Sequence, residues 1–252
     1  MTGATARRIF IGDIHGHYEG LMHLLEAIAP GESDRIYFLG DLIDRGPQSA
    51  QVVNFVSQSN YPCIRGNHEQ LLIDSFPDGK INYPALQGWL YSGGQATLSS
   101  YEDANKLLDH LQWILELPLY QDLGDVWLVH AGVHPDFSID EQGEYEFCWI
   151  RDEFHSIPQP YFPDKTIIVG HTITFTFPGV SPGQVAGGHG WLGIDTGAYH
   201  RRSGWLTGLD WTNQQVHQVN VYEKTERTFP LAESITFVQP EAIIPRHSLA
   251  AR

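Results

Sequence analysis

Short continuous runs of apolar, largely β-branched residues alternate along the chain with stretches in which apolar positions recur every three or four residues. Five of the short runs lead into glycine, histidine or carboxylate chemistry. Ile9-Phe10-Ile11 runs into Gly12-Asp13, and Ile36-Tyr37-Phe38-Leu39 into Gly40-Asp41. Cys63-Ile64-Arg65 runs into Gly66-Asn67-His68-Glu69, Val126-Trp127-Leu128-Val129 into His130-Ala131-Gly132, and Ile167-Ile168-Val169 into Gly170-His171-Thr172. Continuous apolar runs of this length read as strands buried on both faces. Leu21, Leu24, Leu25 and Ile28 follow helical spacing, with Pro30-Gly31 as the stop. Pro47 suits the first turn of a second helix carrying Val52, Val53 and Val56. Strand, helix, strand, helix, strand is an α/β signature.

From about residue 81 to 119 the rhythm breaks. Leu107, Leu108, Leu111, Ile114 and Leu115 predict an amphipathic helix ended by Pro118, and Tyr83 to Tyr101 predicts another. This reads as a helical insertion flanking the site. After His171 the pattern predicts short strands over 191–195, 205–211 and 216–222, arranged as an antiparallel meander forming a second sheet. The domain expected is therefore 1–222, with 223–252 as a weakly determined C-terminal extension.

Composition narrows the partners. Thirty acidic against fifteen basic residues among 252 give a net charge of −15. That balance disfavours nucleic acid, whose phosphates are held by Lys and Arg clusters, and disfavours an anionic membrane surface. It leaves a small phosphorylated ligand open, because a metal ion inverts local charge. Two cysteines, Cys63 and Cys148, make no disulfide framework, and a cytoplasmic setting is expected. No apolar leader is visible near the first residues and no run is long enough to span a bilayer as a helix.

Asp13, His15, Asp41, Asn67, His130 and His171 each fall at or just past a predicted strand end, where open α/β sheets place their ligands. Two carboxylates, three imidazoles and an amide form an oxygen and nitrogen donor set without thiolate. Six ligands exceed what one catalytic ion with an open position needs, but suit two ions sharing a carboxylate. A pair of ions about 3.5–4 Å apart serves in-line phosphoryl chemistry.

Gly12-Asp13-Ile14-His15-Gly16, Gly40-Asp41-Leu42-Ile43-Asp44-Arg45-Gly46 and Gly66-Asn67-His68-Glu69 resemble the three signature motifs of the phosphoprotein-phosphatase branch of the metallophosphoesterases. His130-Ala131-Gly132 and Gly170-His171-Thr172 resemble its later histidine motifs, and together the motifs cover about residues 7–210. The chain is similar to small bacterial and phage serine/threonine protein phosphatases. The resemblance implies an α/β fold, a calcineurin-like two-sheet β-sandwich flanked by helices in four layers, α/β/β/α. It implies that Asp13 and His15 bind a first metal, that Asn67, His130 and His171 bind a second, and that Asp41 bridges them. His68 would be the general acid, oriented by Asp44, and Arg45, Arg65 and Arg151 would clamp phosphate. Arg65 also fits capping a helix or balancing Glu69, and Arg151 also fits pairing with Asp152 or Glu153.

The reaction implied is hydrolysis of phosphoserine or phosphothreonine monoesters in proteins or peptides by in-line attack of a metal-bridging hydroxide. Two divalent ions are implied, manganese first, with iron, zinc and magnesium compatible with the donors. A symmetrical dinucleoside tetraphosphate hydrolase shares the fold and the metal motifs, but Asp44 and Glu69 follow the protein-phosphatase version. A non-catalytic phospho-ligand protein would lack a ligand or the acid, and none is missing here.

Overall fold

Alternation inside the apolar runs sets the layers. In the computed structural model, which describes residues 6–243, strand β1 (Arg8–Ile11) turns Ile9 and Ile11 to one face and Phe10 to the other. All three side chains are fully buried. A run with no polar position in its alternation needs a covered surface on each side, and it has one. Strand β2 (Arg35–Phe38) pairs parallel to β1, and the link between them is helix α1 (Tyr18–Ile28). Leu21, Leu24 and Ile28 of α1 lie against the Ile9 and Ile11 face. The helix stops as read from the sequence, although Ala29, in left-handed conformation, caps it before Pro30. Helix α2 (Ser49–Gln58) follows β2, so Pro47 lies in the preceding turn rather than in the helix.

Motif three opens a helix rather than ending a strand. Cys63 makes a single parallel bridge to Phe38, Arg65 N–H donates to the Pro118 carbonyl, and Asn67 is the first residue of α3 (Asn67–Ser75). The insertion holds α4 (Tyr83–Trp89), a π-turn over Leu90–Gly94, α5 (Gln95–Ser100) and α6 (Ala104–Leu115). Strand β3 (Tyr120–Asp122) then pairs antiparallel with β4 (Val126–Val129).

The second sheet is built on β4 and β5 (Thr166–Val169), which run parallel. Val126, Leu128 and Ile168 face the first sheet, where they meet Phe10 and Leu39. Trp127, Val129, Ile167 and Val169 face outward onto Phe147 of α7 (Glu144–Trp149) and Phe154 of α8 (Asp152–His155). Each such side chain, fully buried, contributes about 1.5–3 kcal/mol. Helices, sheet, sheet and helices are the four layers expected.

The later strands divide between the sheets. β6 (Val185–Gly188) and β7 (Trp191–Gly193) join the second sheet, with β7 parallel to β5. β8 (Trp205–Asp210) and β9 (Gln215–Asn220) form the expected antiparallel meander, but it adds to the free edge of β1 in the first sheet instead of making a sheet of its own. The sequence shows the hairpin and not the edge it finds, because pairing to β1 is backbone hydrogen bonding between segments far apart in the chain.

A second correction concerns 223–252. Within it, β10 (Glu226–Pro230) pairs with β9, and β11 (Ile235–Phe237) pairs parallel with β6, so the extension edges both sheets through residue 237. Its alternating half-exposed pattern carries little hydrophobic signal, which is why it read as weakly determined. Residues 244–252 lie outside the described residues. The sheet orders are β10-β9-β8-β1-β2 and β11-β6-β7-β5-β4-β3. No helix among the described residues is long and apolar enough to cross a membrane.

Candidate metal centre and active site

The carboxyl ends of β1, β2, β4 and β5 meet at one rim between the sheets, and their following loops carry Asp13, Asp41, His130 and His171. These loops approach too closely for side chains at every position. A Cβ on Gly40 or Gly66 would strike the other loop's backbone or Asp41, and one on Gly170 would strike the Asp13 carboxylate. His15, Asp41, Asp44, Arg45 and His171 all adopt positive φ, from 47° to 73°. Left-handed conformation is costly for residues with a Cβ, and its concentration here marks a functional constraint.

Two clusters of ligand atoms converge, His15 with Asp41 and His68, and Asp41 with His130 and His171, each within 4.8 Å. Asp41 belongs to both, which is the geometry a shared carboxylate needs. The three imidazoles expected as ligands are fixed through main-chain carbonyls. His15 Nδ1 lies 3.0 Å from the Ile43 oxygen, His130 Nδ1 2.7 Å from that of Leu39, and His171 Nε2 3.3 Å from that of Trp149. A carbonyl only accepts, so each of these nitrogens carries the proton and the other faces inward.

Asn67 Oδ1 then sits 3.0 Å from His130 Nε2 and 2.7 Å from His171 Nδ1. Burial, with the Arg151 and His130 charges, holds His171 well below its ordinary value and therefore neutral. An oxygen facing an imidazole lone pair at this distance repels it, unless a cation or proton lies between. His130 responds oppositely. Burial would lower it, but Asp41, Asp13 and the Leu39 carbonyl raise it to about 10. The site therefore draws positive charge to itself, and these donors fit divalent ions.

Carboxylates crowd the same place. Burial first, and then the charge of Asp195, pushes Asp13 well above the usual range. Burial would push Asp41 up as well, but His130 and His68 hold it well below. Asp195 is raised to about 6, mainly by burial. Asp13 stands slightly apart from the two clusters, and its carboxylate accepts from the His171 N–H at 3.1 and 3.2 Å. His68, expected only as an acid, lies within ligand distance of His15 and Asp41.

The surroundings of His68 are built by Asp44 and by two residues of the insertion. Asp44, fully buried, has its Oδ2 2.6 Å from His68 Nδ1. It also accepts from Trp89 Nε1 at 2.9 and 3.0 Å and from the Thr97 hydroxyl at 2.6 Å. His68 Nδ1 is thereby committed, and Nε2 remains for chemistry at the centre.

The arginines divide. Arg45 reaches the centre, with Nη1 3.1 Å from His15 Nε2 and its guanidinium 3.9 Å over the Tyr199 ring. Arg151 donates to the Thr172 hydroxyl at 2.9 Å and to the His171 carbonyl at 3.2 Å, on the rim. Arg65 is engaged by protein groups. It donates to the Leu115 and Leu117 carbonyls at 2.8 and 3.2 Å, to Gln70 at 3.0 Å, and pairs with Glu144 at 3.6 Å. The end of α6 offers unsatisfied carbonyls beside it, and a guanidinium there caps them.

Sequence reading gave no role to Trp89, Thr97, Asp195 or Tyr199, and read Glu69 only as a motif marker and a partner for Arg65. Glu69 accepts from the N–H groups of Asp41, Leu42 and Gly66 at 2.8–2.9 Å, so it fixes the loop that carries Asp41. Burial, and then the Asp41 charge, raises it to about 7. Its place three residues after Gly66, as in a capping box, was the available signal. Trp89, Thr97 and Tyr199 had none, since each acts from a distant segment.

The chain is similar to several known proteins. The calcineurin-like phosphoesterase family model matches residues 6–198. A symmetrical bis(5'-nucleosyl)-tetraphosphatase of Buchnera aphidicola is 32% identical over 54% of this chain and 47% of its own. Serine/threonine-protein phosphatase 2 of Escherichia coli is 34% identical over 56% of this chain and 66% of its own. The chain spans about half the length of the tetraphosphatases it matches, 47% of one and 43% of another. A crystal structure described as a candidate diadenosine tetraphosphatase superposes with a TM-score of 0.60 over 91% of this chain and 96% of its own, at 20% identity, a likeness of fold. With the five motifs at one rim and the family model spanning both sheets, the chain belongs to the calcineurin-like phosphoesterase family.

Proposed function

We propose that the chain is a metal-dependent phosphomonoesterase acting on phosphoserine and phosphothreonine in proteins or peptides. The observation that carries this reading is the buried Asp44–His68 contact at 2.6 Å beside the shared carboxylate of Asp41. A serine or threonine alkoxide is a poor leaving group and needs a proton as the P–O bond breaks. An imidazole anchored at Nδ1 by a carboxylate supplies it from Nε2.

Asp13, His15, Asp41, Asn67, His130 and His171 would hold the two ions, manganese being the first to test. When bound, the ions supply positive charge to the phosphoryl oxygens and make water acidic enough to act near neutral pH. Arg45 and Arg151 bind the non-bridging oxygens in this scheme, since a guanidinium edge matches them two at a time. Tyr199 under Arg45 keeps that edge turned toward the centre. Arg65 steadies the loop before Asn67 instead of binding phosphate.

One specific observation favours a second reading, symmetrical hydrolysis of dinucleoside tetraphosphates, namely the 32–35% identity to proteins of that name. There the leaving group is a nucleoside diphosphate, a weaker base than an alkoxide, and the dyad matters less. Assaying manganese-loaded protein on a phosphothreonine peptide, a phosphotyrosine peptide and diadenosine tetraphosphate separates the two. Turnover of the phosphothreonine peptide, lost on chelation, is expected. Hydrolysis of the tetraphosphate alone would overturn the phosphoprotein reading in favour of the second.

A further inference from the structure

Positive charge is scarce in this chain, with 15 basic against 30 acidic residues, and three of its guanidiniums are neutralised by carboxylates. Arg7 sits on Asp34, Arg8 on Asp125 and Arg65 on Glu144. Arg201 and Arg202 are different. They are adjacent, exposed, and without a carboxylate partner among the described residues.

They stand on a loop at the catalytic rim. The loop follows β7 and carries Tyr199, whose ring lies 4.8 Å from His15 and 3.9 Å beneath the Arg45 guanidinium. It is held firmly. The Ser203 hydroxyl donates to the Thr196 carbonyl, Gly204 N–H to the Gly197 carbonyl at 3.1 Å, and Tyr222 Oη to the carbonyl of Tyr199. The Arg201 guanidinium lies 4.1 Å over the Tyr222 ring, and that of Arg202 lies 5.0 Å from the centre of the Phe175 ring. A guanidinium over a ring keeps the in-plane N–H edge free for an anion, and its order is already set before binding.

We infer that Arg201 and Arg202 form a second anion subsite, which takes a further phosphate group of the substrate while the scissile phosphate occupies the catalytic centre. This rests on the reading of that centre as a phosphoesterase site. A second phosphate accepts from both guanidiniums by charge-assisted hydrogen bonds. The subsite would make the enzyme prefer substrates bearing phosphates in series, whether along a peptide or along a polyphosphate chain.

The test compares kcat/KM of the manganese-loaded chain on a doubly phosphorylated peptide, its singly phosphorylated counterpart, and diadenosine tetraphosphate. In R201A/R202A the preference for the second phosphate should fall about tenfold, equivalent to about 1.4 kcal/mol. R201K/R202K should keep part of it, and R35A, which removes a charge at the far end of β2, should keep all of it. Calorimetric titration with inorganic tripolyphosphate should show weaker binding to R201A/R202A than to the unaltered chain. Loss confined to the tetraphosphate would assign the further phosphate to a polyphosphate chain, and loss confined to the peptide to a polypeptide. Equal losses on all three substrates, with tripolyphosphate binding unchanged, would overturn the subsite. If the unaltered chain cleaved no phosphoester, the parent reading would fail, and the tripolyphosphate titration would still decide whether the subsite exists.

Discussion

The candidate ligand cluster and the Asp44–His68 dyad share one rim, yet they are held in opposite ways. His15, His130 and His171 are anchored to main-chain carbonyls, and Asp41 sits on a loop whose N–H groups are gripped by Glu69. The dyad is anchored to side chains. Asp44 depends on Trp89 and Thr97, both from the helical insertion, and His68 depends on Asp44. Main-chain anchors survive most substitutions around them, because any residue supplies a carbonyl. Side-chain anchors do not. The imidazoles of the cluster are therefore the fixed part of this site, and the dyad is the part that a change in the insertion can retune.

The largest effect should come from the one atom group both ligand clusters use. Asp41→Asn should lower turnover by more than about 10⁴-fold, beyond what a single acid–base group supplies, with metal content falling from two ions toward fewer by elemental analysis. Retention of both ions and most activity would mean Asp41 is not shared. His68→Ala should cost roughly 10²–10⁴-fold on a phosphoserine peptide and clearly less on para-nitrophenyl phosphate, whose leaving group needs little protonation. Metal content should stay the same. Since His68 lies within ligand distance of His15 and Asp41, loss of an ion in this variant would move it from the dyad into the cluster and erase the contrast drawn above.

Thr97→Ala tests the side-chain anchoring directly. It removes a 2.6 Å hydrogen bond to the buried Asp44 carboxylate, which keeps its Trp89 donor, a cost of about 1.5–3 kcal/mol in stability measurable by urea unfolding. Turnover on phosphoserine should fall more than on the aryl phosphate, in the His68→Ala pattern but more weakly. Equal losses on both would show that the insertion serves packing alone.

The smallest effect concerns the insertion and pH. His110 of α6 is held below its ordinary 6.5 by burial and then by the Lys106 charge, with its Nδ1 2.8 Å from the Tyr101 hydroxyl. Below pH 6.5 the unfolded chain takes up a proton that the folded chain still refuses, so stability falls as pH drops from there to the folded value. Above 6.5 the term is absent. Melting temperature between pH 8 and 5 should drop less in His110→Gln than in the unaltered chain. An identical drop would remove His110 as a source of acid sensitivity.

Much of this molecule is written in local sequence. Ile9-Phe10-Ile11, Val126 to Val129 and Ile167 to Val169 are uninterrupted apolar runs, so they had to be strands covered on both faces, and two buried faces per sheet impose layers. Asp13, Asp41, His130 and His171 directly follow such runs, and parallel strands bring their carboxyl ends to one rim. The convergence of these four residues was legible for that reason. The parts that were not legible depend on pairing over long distances. Nothing near residues 205–222 says that the meander adds to β1, or that 226–237 edges two different sheets, since ladder hydrogen bonds are made by backbone and carry no side-chain code. The family resemblance implies a phosphate role for Arg65, but that its guanidinium meets the Leu115 carbonyl at the end of α6, 50 residues on in the chain, shows only in the fold. Trp89, Thr97 and Tyr199 likewise acquire their roles only where folding sets them against Asp44 and Arg45. Sequence determines what a segment must bury and which chemistry stands at its end, whereas the partner that a polar side chain finally meets is decided by the packing of the whole chain.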